Sequence, residues 1–273
     1  MGKLDGRVAV ITGAARGQGR AHALRLAEEG ADVIAIDICD QIPSVAYPMA
    51  TPADLEQTVK EVEALGRRIY AVQADVRDFA ALKAGVDAGT AALGVATIVV
   101  ANAGVSAFGL ENPDLLRDFR DVLEVNLFGV YNTVQITAPA MIDLGQGGSI
   151  VLTSSTQGLT GRGGDGSAAH SGYCASKHGV VGLMRTFAYW LAPHSIRVNT
   201  VHPTGVSTPM LINDVTIHWA EDNAQLEAMS TNLLPVDMMD ARDVANAVAW
   251  LVSDDARYIT GVTLPVDAGF VVK

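Results

Sequence analysis

Cysteine is scarce: Cys39 and Cys174 are the only two in 273 residues. Two thiols cannot form a disulfide framework, so a reduced compartment is the expected setting. Positive charge is also short, with 19 lysines and arginines against 30 acidic residues and a net charge of −11. The cations nowhere cluster, which excludes a basic face for neutralising nucleic-acid phosphates. No apolar run reaches the roughly 20 residues of a bilayer-spanning helix. The opening MGKLDGRVAVITG has neither the apolar core nor the cleavage site of a signal peptide, so a cytoplasmic location is expected. His22, His170, His178, His194, His202 and His218 show no metal-ligand spacing, and no metal is expected.

Hydrophobic residues make up 49% and charged residues 18%, ample for a buried core. Short apolar, β-branched runs at 7–12 (RVAVIT), 32–37, 69–75, 97–101, 149–153 and 196–201 read as strands buried on both faces of a parallel sheet. Helix-period segments at 19–29, 52–65, 78–93, 113–144 and 172–191 alternate with them. Thr51, Pro52 and Asp54 give a cap, an N-terminal proline and an early acid, and Gly66 ends that helix. The pattern predicts an α/β fold: one domain over 1–273, a doubly wound Rossmann sheet with helices on both faces. Stretches 38–50, 158–169 and 205–240 are the least regular.

The first strand runs into TGAARGQG at 12–19 and then a helix. Gly13, Gly17 and Gly19 allow a tight turn and close approach of a pyrophosphate, with Arg16 and Gln18 in the same turn; the helix N-terminus attracts the phosphates. Asp37 ends the second strand, where a carboxylate accepts both ribose hydroxyls and repels a 2′-phosphate. Ile38 follows and no arginine adjoins it, so NAD is the expected cofactor rather than NADP. A solvated strand-end cap is the other role open to Asp37. Asp75 ends the third strand, placed for the adenine amino group, with Val76 beside the ring. Asn102, Ala103 and Gly104 follow the fourth strand, where Asn102 either faces the ligand or braces the turn.

Tyr173 and Lys177 are spaced i, i+4 and share a helix face, placed in the first turns by Gly172 and a Ser171 cap. A free phenol with a pKa near ~10 is a poor base at neutral pH, but an adjacent ammonium and a cationic nicotinamide both favour its phenolate. His170 is the histidine placed to reach a pocket around Tyr173.

These pieces, together with ADV (74–76), ANAG (101–104), EVNLFGV around Asn126, SIVLTSS (149–155), YCASK (173–177), RVNTVHP (197–203) and TGVTLPVDAG (260–269), resemble the short-chain dehydrogenase/reductase family over nearly the whole chain. The resemblance implies a catalytic tetrad of Ser155, Tyr173, Lys177 and Asn126. Ser155 would donate to the substrate oxygen, with Ser154 its neighbour on the opposite strand face. The Asn126 backbone carbonyl would hold a water relaying protons to Lys177; a helix kink or a satisfied core amide also fits that residue. Pro203, Val206 and Thr208 would meet the nicotinamide. The family's Pro-Gly pair is here Pro203-Thr204, which would strain Thr204. A homotetramer is implied, through helices 113–144 and 172–191 and the apolar segment 260–272.

The insertion 38–50 (ICDQIPSVAYPMA), with the preceding motifs, resembles the mycofactocin-coupled, carveol-dehydrogenase-like subgroup. That implies tightly bound NAD and a small peptide-derived electron acceptor of the mycofactocin type; an ordinary decorated loop is the alternative. Region 205–240 would form a substrate lid, and its Met210, Leu211, Trp219, Met229, Leu233 and Leu234 suit a hydrophobic alcohol or ketone, terpenoid or steroid-like. The competing function is a non-catalytic NAD-binding sensor on the same fold. Such a protein would have no need of the Tyr173/Lys177 pair.

Overall fold

The computed structural model describes residues 2–110, 113–222 and 231–273. The apolar runs become strands β1 (Val8–Thr12), β2 (Asp32–Asp37), β3 (Ile69–Gln73), β4 (Ile98–Ala101), β5 (Gly148–Thr153) and β6 (Ile196–Pro203). With β7 (Thr263–Val266) they form one parallel sheet in the order β3-β2-β1-β4-β5-β6-β7. β1 is central: Val10 pairs with Ile34 on one side and Val99 on the other.

Strand alternation divides the core into two layers. Val8, Val10, Ile34 and Ile36 point to one face, where they pack with Leu82, Val134, Val180 and Met184. Those partners lie on α3 (Phe79–Leu93), α5 (Gly129–Leu144) and α6 (Ala168–Leu191). Ala9, Ile11, Val33 and Ala35 point to the other face and pack with Leu26, Val62 and Val248. These come from α1 (Gly17–Glu28), α2 (Pro52–Ala64) and α8 (Ala241–Val252). A sheet covered on both sides has no polar face, which is why its strands read as continuous apolar runs.

Local signals account for several boundaries. Thr51 and Asp54 form a reciprocal capping box, with the Asp54 amide donating to Thr51 Oγ1 at 3.3 Å and the Thr51 amide to Asp54 Oδ2 at 2.8 Å. Others moved. α1 begins at Gly17, not 19, because the extended Arg16 is its cap. α6 begins at Ala168, not 172, because Ser167 rather than Ser171 is the cap: its Oγ accepts from the His170 amide at 3.1 Å. Tyr173 therefore sits in the second turn. Gly172 is interior because α6 lies so close to α4 (Leu115–Leu123) that a Cβ there would stand 3.3 Å from the Phe119 carbonyl oxygen.

The segment 113–144 is not one regular helix. A π-helical turn, Glu124–Phe128, joins α4 to α5 and contains Asn126. β3 stops at Gln73, so Asp75 and Val76 lie in the turn beyond it. Strand β7 and helix α8 are additions to the sequence reading; β7 is four residues with an internal proline on the sheet edge, a weak pattern. The region 205–240 contains α7 (Asp214–Asp222), while Met229 lies outside the described residues. Thr204 is not in the left-handed region, so the missing glycine of the family's pair strains nothing there.

Candidate active site

The strand order reverses between β1 and β4, and a doubly wound sheet opens its crevice at that point. A cavity of about 700 Å³ lies there. Gly13, Arg16, Gly17, Gln18, Gly19, Asp37, Ile38, Asp75, Val76, Asn102, Ala103, Gly104, Ser155, Tyr173, Lys177, Pro203, Val206 and Thr208 all line it. Asn126 does not; it is fully buried behind the wall.

The glycine turn is packed to contact. A Cβ on Gly13 (φ +68) would stand 2.9 Å from Ala103 Cα, and one on Gly19 would stand 1.8 Å from the Gly13 carbonyl oxygen. Thr12 Oγ1 accepts from the amides of Asn102 (3.0 Å) and Ala103 (3.1 Å), and Asn102 Nδ2 donates to the Thr12 carbonyl at 3.1 Å. Asn102 is thus a brace between strand ends. The first turn of α1 carries no acid, which leaves its positive end free to attract an anion.

Asp37 is buried. Its Oδ2 accepts the Ala15 amide at 2.9 Å and its Oδ1 the Cys39 amide at 3.1 Å, leaving one lone-pair direction on each oxygen. Asp75 is engaged by Arg77, whose Nε and Nη2 donate to Oδ2 at 2.8 and 2.7 Å. Behind Asp37 the insertion turns inward. Ile42, Val45 and Tyr47 join the core, and Ile38, Ile42, Tyr47, Met49 and Ala50 wall the cavity. Gln41 staples the segment: its Nε2 donates to the Val45 carbonyl at 2.7 Å and its Oε1 accepts the Met49 amide at 3.0 Å. Arg16 donates to the Pro48 carbonyl, joining the glycine turn to the insertion.

At the other end, Ser155 Oγ accepts the Gln157 amide at 3.2 Å and donates to the Pro203 carbonyl at 3.5 Å, and it lies close enough to the Tyr173 phenol to favour its ionised form. Ser154 Oγ instead donates to the Lys177 carbonyl at 2.9 Å and anchors α6. Ser155 is held by a partner absent from the sequence reading: His202 Nδ1 bonds the Ser155 carbonyl at 2.8 Å, and its Nε2 bonds Thr200 Oγ1 at 2.8 Å. Lys177 Nζ donates to the Thr153 carbonyl at 2.9 Å and lies 5.6 Å from the Tyr173 ring centre. Asn126 clamps the turn after β4, with Oδ1 accepting the Val105 amide at 2.8 Å and Nδ2 donating to the Val105 carbonyl at 2.9 Å. A Cβ on Gly104 would meet Asn126 Oδ1 at 3.3 Å and Lys177 Nζ at 3.4 Å, so these groups converge.

Burial governs the electrostatics. It lowers Lys177 to about 8 and holds the Tyr173 phenol above its ordinary value, with the nearby Ser155 hydroxyl pulling the other way. Desolvation of the phenol thus works against the acidification expected from Lys177 and a cationic nicotinamide. Phe108, Ser106, Gln157 and Phe270 also line the cavity. They lacked a spacing signal: Ser106, Phe108, Gln157 and Phe270 fall just beyond the motifs at 101–104, 149–155 and 260–269, in segments with no helical or strand period. Among the described residues, no group of His, Cys, Asp and Glu could hold a metal ion, and no helix is long and apolar enough to cross a membrane.

A glycine turn at a sheet's switch point, facing a serine, a tyrosine and a lysine, defines the class of dinucleotide-dependent oxidoreductases. A family model for short chain dehydrogenase matches residues 7–217, and the chain belongs to that family. It is 54% identical to an uncharacterized oxidoreductase of Mycobacterium tuberculosis, covering 99% of this chain and 98% of that one. It is 46% identical to (-)-trans-carveol dehydrogenase of Rhodococcus erythropolis, over all of both chains. The crystal structure of carveol dehydrogenase from Mycobacterium avium in complex with NAD superposes with a TM-score of 0.91 at 49% identity, covering 100% of each chain.

Proposed function

We propose that this chain interconverts a hydrophobic secondary alcohol, terpenoid or steroid-like in shape, and its ketone, using tightly held NAD. The carrying observation is that Tyr173, with Ser155 and Lys177 beside it, opens into the same cavity as the glycine turn and Asp37. The NAD-bound relative and the carveol dehydrogenase support it. Asp37 accepts the adenosine ribose hydroxyls on its spare lone pairs and repels a 2′-phosphate. The α1 N-terminus would hold the pyrophosphate, and Val206 and Thr208 would contact the carboxamide. Lys177 donates to the nicotinamide ribose.

Bound NAD supplies a hydride acceptor for oxidation and, once reduced, a hydride donor for the reverse reaction. Ser155 holds the substrate oxygen, and Tyr173 takes its proton during oxidation and returns it during reduction. Burial holds the phenol above its ordinary value, so positive charge beside it, from Lys177 and from an oxidised nicotinamide, would favour proton removal. The π-helical turn loosens the backbone hydrogen bonding around Asn126, suiting its carbonyl to a water that refills the proton through Lys177. A non-catalytic sensor would not need this arrangement.

The inward-folded insertion supports slow cofactor release, and with it an external acceptor of the mycofactocin type that takes electrons from the bound dinucleotide. A cytoplasmic homotetramer completes the reading; exposed Leu115, Leu116, Tyr189 and Tyr258 would supply its subunit contacts.

The test is to dialyse the purified protein extensively, denature it and assay the released NAD. Stoichiometric NAD is expected; an empty protein that turns over with added NAD rejects the retention. Tyr173→Phe should keep its NAD and lose about 10²–10⁴-fold in carveol oxidation, whereas retained activity would exclude the proposed base.

A further inference from the structure

The cavity is lined by residues with buried polar atoms that the proposed chemistry leaves unused, Ser106 Oγ and His170 Nε2 among them. His170 lines the cavity, and its Nε2 is buried with no hydrogen-bond partner. An imidazole nitrogen desolvated in this way is costly, and a polar group supplied by a ligand would relieve the cost. His170 and Tyr173 are i, i+3 on α6, so their side chains leave the helix on the same face. Both flank Phe108, whose ring centre lies 6.2 Å from His170 and 6.5 Å from Tyr173. Trp219 on α7 stacks on the same phenyl ring at 5.1 Å. This part of the wall is thus a hydrophobic aromatic surface flanked by two side chains that can hydrogen-bond, Tyr173 and His170. On the far side of the imidazole, a Cβ on Gly163 would stand 3.7 Å from His170 Cε1, so the glycine-rich stretch closes over the ring.

We infer that His170 is a specificity-determining residue, and that the preferred substrate is a cyclic alcohol carrying a second oxygen across the ring from the reacting carbinol. The inference rests on the alcohol dehydrogenase reading and narrows its substrate class. The ring lies against Phe108, the carbinol oxygen meets Tyr173 and Ser155, and the second oxygen pairs with His170 Nε2. Either tautomer serves: the nitrogen donates to a carbonyl or accepts from a hydroxyl. A monofunctional terpene alcohol such as carveol fills the aromatic wall but leaves the imidazole unpaired.

The test compares carveol with a p-menthane diol bearing a second ring hydroxyl, on the NAD-loaded protein. Binding is read by calorimetry, and oxidation by single-turnover reduction of the bound nicotinamide. The diol should bind about tenfold more tightly than carveol, the scale expected when a buried polar group gains its partner. The preference should fall to near parity in His170→Phe and persist in His170→Gln, with NAD content unchanged in both. Equal binding of the two alcohols by the wild-type protein, or an undiminished preference in His170→Phe, overturns the inference. The binding ratio decides the role of His170 whether or not turnover occurs; absence of turnover with both alcohols counts against the dehydrogenase reading instead.

Discussion

Toward the adenosine end, the cavity wall consists of strand ends and a helix N-terminus that bond one another directly. Asp37 holds the Ala15 and Cys39 amides, Thr12 holds the turn after β4, and Gly19 presses on the Gly13 carbonyl. Toward the alcohol end, the wall is Phe108, Trp219, His170 and Leu211, drawn from loops, the first turn of α6 and α7, with one nitrogen unpaired. The first region is fixed before any ligand arrives, and its rigidity suits a ligand that never changes. The second is apolar and loosely tied, the condition under which a lid can adapt to substrate shape.

That contrast can be broken most severely at Gly19. Gly19→Ala places a methyl 1.8 Å from the Gly13 oxygen, so about 4 kcal/mol or more of stability should be lost, with bound NAD lost as well. Denaturant unfolding and NAD content check it, and a fully stable, NAD-loaded variant would show the turn to be plastic.

Next in size is acid. Burial lowers His22, beneath the glycine turn, and His202, behind Ser155, to about 4 from the ordinary value of 6.5. Between those values the unfolded chain binds more protons than the folded one, so stability falls as pH drops from about 6.5 towards 4. The loss is up to roughly 3 kcal/mol per imidazole. Unfolding midpoints measured across this window should fall, and His202→Gln should flatten the slope; an unchanged slope would place the acid sensitivity elsewhere.

The smallest effect belongs to the alcohol end. Leu211→Ala should raise KM for an apolar alcohol about three- to tenfold while NAD content and melting temperature stay put. A loss of bound NAD would show the two halves to be one unit.

Much of the adenosine end was legible because its constraints are local. Gly13, Gly17, Gly19 and Asp37 are required by the backbone path itself, and Tyr173 and Lys177 announce their shared face by spacing. The start of α6 was misplaced because Ser167 and Ser171 are equivalent caps on paper, and only the α4–α6 contact chooses between them. The π-helical turn at Asn126 has no residue signature, since it arises from fitting Asn126 to the Val105 backbone. The insertion's packing was less legible: ICDQIPSVAYPMA has no period of its own, and only the structure places Ile42, Val45 and Tyr47 in the core.

By itself, the sequence determined the alternation of strands and helices, the phosphate-type turn, the strand-end carboxylate and the tyrosine–lysine face. All of these depend on residues near one another in the chain. Only the tertiary structure decided which serine lies beside Tyr173, that His202 holds that serine in place, that burial raises the phenol, and that His170 Nε2 is left without a partner near Phe108. Those outcomes depend on contacts between segments tens of residues apart, and desolvation is a property of the packed whole rather than of any stretch of sequence.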